Sequence, residues 1–338
     1  MTQSHPFLRY VIAGKLQREF IITPNGEVYI DSPGGNLLYA ASGLRIWDHA
    51  IGLIGRVGED YPQEWLVQIT NHGFDRRGII TLPQMLDLRS FIVYHNNKVL
   101  RDNPVSHFTR LGIQLPKNLL GYSTPDTIQR DSAQNISHII HLKDIPEDYL
   151  DTTVAHLCPL DFQSHNRLVP YFKQGHVNTI SLDPSIDYMK PTNWEFIPSL
   201  LSGVTIFLVS EEKIKSLFKG RSNDLWEMAE AIASFGCEII VIKRGSEGQY
   251  VYSHSDKKRW MIPAYPVRIK DPTGAGDAFC GGFIAGFRKT YDPLEAALFG
   301  NISAAITMEG NNPFYLLDIL PGLAKARLNR LRELAQIL

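Results

Sequence analysis

The run Asp271-Pro-Thr-Gly-Ala-Gly-Asp277-Ala-Phe-Cys-Gly-Gly-Phe283 limits what this chain can fold into more than any other stretch. A turn made of Pro272, Thr273 and two glycines leads straight into the apolar segment 278–287, the layout of a helix start with Asp277 in its first turn. The first amides of a helix have no internal partner and carry the positive end of its dipole. Gly274 and Gly276 leave those amides uncovered, so the loop can close on an anion such as a transferring phosphoryl group. Asp277, beside that anion hole, is placed to take a proton from an attacking hydroxyl. Amides for the anion and a carboxylate for the nucleophile are what phosphorylation of a small molecule requires. Taken alone, a Gly-x-Gly-Asp is also what a tight turn before a helix with an acidic first turn looks like.

Composition narrows the setting. The 338 residues, 44 % hydrophobic and 20 % charged, suffice for a large core in a single α/β domain spanning 1–338. A net charge of −1 gives no electrostatic footprint for nucleic acid or an anionic membrane, so neither is expected as a partner. No apolar run approaches the ~20 residues of a spanning helix, and Met1–Arg9 lacks the apolar stretch of a signal peptide. Cys158, Cys237 and Cys280 lie far apart in apolar contexts and read as buried free thiols, which with the preceding point leads us to expect a cytoplasmic protein. The eleven histidines have no metal-ligand spacing, and no metal-binding residues are assigned.

Strands and helices alternate along most of the chain. Short apolar strands are expected at 10–14, 51–55, 136–141, 154–157, 178–182, 205–209 and 238–243, with helical segments between most of them. This predicts a three-layer α/β fold, a mainly parallel sheet with helices on both faces, whose ligand lies at the carboxyl ends of the strands. Two hairpins interrupt the pattern, one around Pro24-Asn25-Gly26 and one around His95-Asn96-Asn97, and they predict a small β-strand lid within 15–33 and 87–110. Arg101 on the second hairpin is either an exposed strand charge or a group for an acidic substrate. The stretch 103–135, rich in Pro, Ser, Thr and Asp, reads as a long irregular connection.

The 271–279 run resembles the C-terminal signature of the PfkB, or ribokinase-like, carbohydrate kinase family, written Asp-Thr-x-Gly-Ala-Gly-Asp-x-Phe. The resemblance extends upstream through Gly34-Gly35-Asn36, Gly55-Arg-Val-Gly-Glu-Asp60, Asp183-Pro184 and the turn Lys243-Arg-Gly-Ser-Glu-Gly248. It implies an ATP- and Mg2+-dependent kinase acting on a hydroxyl of a sugar or polyol, with Asp277 as general base and the amides of Gly274, Ala275 and Gly276 stabilising the transferred group. Lys243, Gly245 and Gly248 would line the nucleotide, with Asp271 and Thr273 nearby, although the 243–248 turn is also what a plain hairpin needs. Glu19, Gly35, Asn36 and Tyr39 would face the acceptor.

Two of these depart from the family pattern: Glu19 stands where an Asp is usual and Tyr39 where an Asn is usual. A third departure follows Ser210, where the family's Asn is missing and Glu211 or Glu212 competes for its magnesium-linked Glu. A nucleoside kinase of the same fold, to which Tyr39 points, and a catalytically weak sugar- or nucleotide-binding regulator remain as alternatives. Family members often pair through lid strands, which would make this chain a homodimer. No Gly-x-x-x-x-Gly-Lys-[Ser/Thr] loop is present, which disfavours a P-loop kinase.

Overall fold

The computed structural model describes residues 7–95, 98–124 and 139–335. Its strands are β1 (Tyr10–Ala13), β2 (Gln17–Ile22), β3 (Val28–Gly34), β4 (Ile51–Gly58), β5 (Asp75–Leu82), β6 (Arg89–His95), β7 (Lys98–Leu100), β8 (Val154–Leu157), β9 (Thr179–Leu182), β10 (Ile206–Ser210), β11 (Ile239–Lys243), β12 (Gln249–Ser253) and β13 (Lys258–Ile262). The α-helices are α1 (Asn36–Arg45), α2 (Gln63–Asn71), α3 (Pro104–Arg110), α4 (Phe162–Phe172), α5 (Ile197–Leu201), α6 (Glu211–Leu217), α7 (Leu225–Ala233), α8 (Ala275–Thr290), α9 (Pro293–Glu309) and α10 (Leu323–Ala335).

Nine strands form the main sheet in the order β13-β12-β11-β10-β9-β8-β1-β4-β5. From β11 to β5 all neighbours run parallel, and β12 and β13 add an antiparallel edge. The central strands are mostly apolar because helices cover both of their faces, and the buried His156 of β8 is satisfied by Ser181 of β9 at 3.0 Å. Within β1, Val11 and Ala13 join the core under α4, α5, α6 and α7, while Tyr10 and Ile12 join the core under α1 and α2. The same alternation sends Phe207 and Val209 of β10 to the first side, and Ile206 and Leu208 to a core built with α8 and α9.

A second, four-stranded sheet has the order β3-β2-β6-β7, with β2 and β6 parallel and both outer pairs antiparallel. Phe20, Ile22, Phe91 and Val93 on one of its faces pack against Phe108 of α3 and Leu119. Helix α3 lies inside the stretch expected to be irregular. Pro104 takes its first turn, where a missing N–H costs nothing, and the Asn103 side chain accepts the Val105 amide at 2.9 Å.

The strand expected at 136–141 falls mostly outside the described residues. Its described part is not a strand, and Leu142–Asp144 is a short 3-10 turn. Cys158, Cys237 and Cys280 are free and buried. No described helix is long and apolar enough to cross a membrane.

Candidate active site

The residues singled out from the sequence converge at the carboxyl ends of the parallel strands. Asp183 follows β9, Ser210 ends β10 and Lys243 ends β11. The 271–277 turn opens α8, which packs against α1, and α1 begins next to Gly35.

Gly274 caps α8 in the left-handed region, with φ of 72°. A Cβ there would lie 2.1 Å from Cγ of Tyr39, so the turn needs glycine both for its backbone and for the ring that rests on it. Ala275 donates to the Pro272 carbonyl across a long 3.3 Å, and no described residue accepts from the amides of Gly274 or Gly276. The turn expected to hold an anion therefore has two open amides and one weakly committed.

Asp277 sits in the first turn of α8, and its carboxylate makes no hydrogen bond to a described residue. Burial pushes its pKa up to about 6, with the positive charge of Lys243 pulling the other way. A carboxylate poised there can take up a proton near neutral pH.

Beneath the turn lies a buried ion cluster. Asp183, only 1 % exposed, accepts from Lys213 at 2.7 Å and from Lys243 at 2.5 Å. Burial would raise its pKa, but the two ammonium groups overrule it and hold it down at about 2. Lys243 also reaches the Gly276 carbonyl at 3.2 Å and Cys280 Sγ at 3.1 Å. Expected to line the nucleotide, its amine instead points inward and braces the first turn of α8. Asp183 holds it firmly in the charged form despite its burial.

Asp271 and Thr273 are likewise turned inward. Thr273 N–H donates to Asp271 Oδ1 at 2.9 Å, and the Thr273 hydroxyl bonds that of Tyr94 on β6 at 2.9 Å. Burial raises the Asp271 pKa against the Thr273 hydrogen bonds, and its Oδ2 is buried without a described partner. The 243–248 turn keeps the form its glycines suggested: Gly245 and Gly248 have φ of 58° and 84°, and Arg244 N–H donates to the Gly248 carbonyl at 2.8 Å. Glu211 is held by Arg244 at 2.9 Å and Lys215 at 2.5 Å.

The acceptor-side residues meet as well. Glu19 on β2 is 3 % exposed; its Oε1 accepts the Gly35 amide at 2.9 Å and its Oε2 the Tyr39 hydroxyl at 3.1 Å. Burial pushes Glu19 up to about 7, opposed by those two hydrogen bonds. Gly35 has φ of 96°, and a Cβ there would lie 2.3 Å from the Lys15 carbonyl. Asn36 accepts from the Lys15 amide at 2.8 Å and donates to the Pro159 carbonyl at 2.9 Å, so its side chain fixes the entry to α1 and has little left to offer a ligand.

Sequence reasoning assigned no role to Tyr94, Lys213 or Asp183. The usable signals were an Asp directly after an apolar strand and a Lys three residues after the Ser210 cap, which turns it back over the strand end.

The known proteins similar to this chain are kinases. Residues 171–314 match the pfkB family carbohydrate kinase. A cytidine kinase of Thermococcus kodakarensis is 28 % identical over 290 residues, covering 85 % of this chain and 91 % of that protein. A 5-dehydro-2-deoxygluconokinase of Clostridium botulinum is 25 % identical over 327 residues, covering 87 % and 89 %. The fold is that of a Vibrio cholerae O395 fructokinase solved with fructose, ADP and calcium ion, with a TM-score of 0.70 at 18 % identity over 95 % of this chain and 99 % of that one. With the motif turn inside the matched segment, and relatives that align over nearly their whole length, the chain is similar to the PfkB, ribokinase-like carbohydrate kinases, and residues 171–314 carry the family match.

Proposed function

We propose that this protein transfers the γ-phosphoryl group of Mg·ATP to a hydroxyl of a sugar or related polyol, in one catalytic domain whose second sheet serves as lid. Asp277 carries the reading: a carboxylate poised near pH 6 in the first turn of α8, beside the open amides of Gly274 and Gly276. The acceptor hydroxyl gives its proton to Asp277. Its oxygen bonds to the γ-phosphorus as the bond to the β–γ bridging oxygen breaks, and ADP leaves with that electron pair. The amides of Gly274 and Gly276, joined by that of Ala275 once it leaves Pro272, offset charge on the transferred group. Lys243 and Asp183 keep the first turn of α8 in place, while Gly245 and Gly248 give the nucleotide a side-chain-free turn.

Among the described residues, no three His, Cys, Asp or Glu side chains are grouped to hold a metal, and Asp183 is spent on two lysines. In this reading Mg2+ would enter with the nucleotide substrate and offset the charge of its phosphates. The fructose and ADP in the fructokinase of similar fold support the same pairing of ligands here.

The likeness to a cytidine kinase favours a second acceptor class, a nucleoside. Tyr39 does not strengthen that reading: its ring is 2 % exposed against Gly274, which makes it a wall and not an open stacking surface. A regulator that only binds would have no use for a poised base.

The test is ADP release from Mg·ATP across a panel of sugars, sugar acids, polyols and nucleosides, run beside Asp277→Asn. The kinase reading expects acceptor-dependent ADP release that the variant loses while still binding ATP. Nucleotide binding with no turnover on any acceptor would overturn it.

A further inference from the structure

A cavity of about 630 Å³, a size that holds small ligands, lies at the far ends of the two helices whose first turns build the candidate site. Arg45 closes α1, and Lys289 stands in the last turn of α8, whose 16 residues rise roughly 24 Å from the Gly274 turn. No residue of the lining belongs to the candidate active site. Much of the remaining wall comes from α9, α10 and the 316–322 stretch between them.

The lining is apolar and basic. The rings of Trp47 and Phe299 lie 4.5 Å apart between centroids, Leu316 and Leu328 extend the apolar surface, and Leu320 is left 76 % exposed. Arg45, Lys289, Lys325 and Arg332 face the same space, and no Asp or Glu does. Arg332 is spent on Glu295 at 2.5 Å, and Arg45 on the His72 carbonyl and the His49 ring. Lys289 and Lys325 are exposed, and among the described residues neither ammonium has a hydrogen-bond or ion-pair partner. The helix dipole favours a cation in the last turn of α8, which accounts for Lys289. Lys325 has the opposite placement, in the first turn of α10, where the dipole disfavours a cation. A negative group in the cavity would offset that charge.

We propose that this cavity is a second ligand site, one that takes a phosphomonoester with an aryl or short alkyl body. Two free ammonium groups match a dianion, and lysine serves phosphate as a point charge. The apolar lining takes the body, which gains by leaving water. A carboxylate would leave one ammonium unmatched, and inorganic phosphate would leave the apolar wall wet. The site stands whether or not the protein is a kinase.

The experiment titrates the full chain by calorimetry with 1-naphthyl phosphate and n-hexyl phosphate, beside 1-naphthol, 1-naphthoate and inorganic phosphate. Each titration is run with and without saturating Mg·ADP. Wild type, Lys325→Gln and the double variant Lys289→Gln, Lys325→Gln are compared; both side chains are exposed, so neither change removes a packed group. The proposal expects at least one of the two organophosphates to bind with Mg·ADP present. It expects the double variant to raise that Kd roughly tenfold or more, with Lys325→Gln alone giving part of the rise. The other three probes should bind at least about tenfold more weakly. Failure of both organophosphates to bind overturns the proposal. So does binding that Mg·ADP abolishes, which would place it in the candidate active site. An unchanged Kd in the double variant also overturns it and leaves a solvated groove. Equal affinity for inorganic phosphate would remove the apolar body from the ligand, and equal affinity for 1-naphthol or 1-naphthoate would remove the dianion; either overturns the proposed class.

Discussion

The two halves of the candidate site are built differently. The phosphoryl half is a backbone device: a left-handed glycine, open amides and a carboxylate, all within residues 274–277. The acceptor half is a side-chain device, in which Glu19 from β2, Tyr39 from α1 and Tyr94 from β6 meet through tertiary packing. A local backbone device tolerates little variation, because its function is its geometry. A wall of side chains can change with the molecule it must admit, and here it carries two of the departures from the family pattern, Glu19 and Tyr39, beside the one that follows Ser210.

Four experiments would break or sharpen this contrast, beginning with the largest effect. Asp277→Asn should lower kcat on the order of a thousandfold with ATP affinity nearly unchanged, measured by steady-state kinetics and nucleotide titration. A loss of only a few-fold would mean that the base lies elsewhere. Gly274→Ala should cost on the order of a hundredfold in kcat, because it strains a φ of 72° and displaces the Tyr39 ring. If instead it raised only the acceptor KM, the two halves would be less separate than their construction suggests.

The third concerns pH. Asp277 must be ionised to accept a proton, so kcat should fall as pH drops through about 6. In Lys243→Met this limb should move to higher pH, since the positive charge opposing the raised pKa is gone; an unmoved limb would assign it to another group. The smallest effect is expected from Tyr39→Phe, which removes one of the two hydrogen bonds to Glu19. The acceptor KM should rise by roughly tenfold or less, with kcat held. A large fall in kcat would place the Tyr39 hydroxyl in the chemistry itself.

The same contrast explains what could be read from the sequence. The main sheet was legible because strands buried on both faces, such as Tyr10–Ala13 and 239–242, are uninterrupted apolar runs. The motif turn was legible because its parts are neighbours in the chain. Helix α3 was missed within a polar, proline-rich stretch, where the Asn103-Pro104 start signal was outweighed by composition. The inward turn of Lys243 depends on Asp183, 60 residues earlier, and the closure of Glu19 on Tyr39 depends on how β2 lies beside α1. Pairings of that kind are set by the packed fold, and no local spacing encodes them.

The contact between the Tyr39 ring and Gly274 gives both halves a common partition. Any substitution at position 39 would press on, or release, the turn proposed to receive the phosphoryl group. Under the proposed roles, selectivity and speed would not be independent dials, and variants retuned for a new acceptor should first be screened for lost rate.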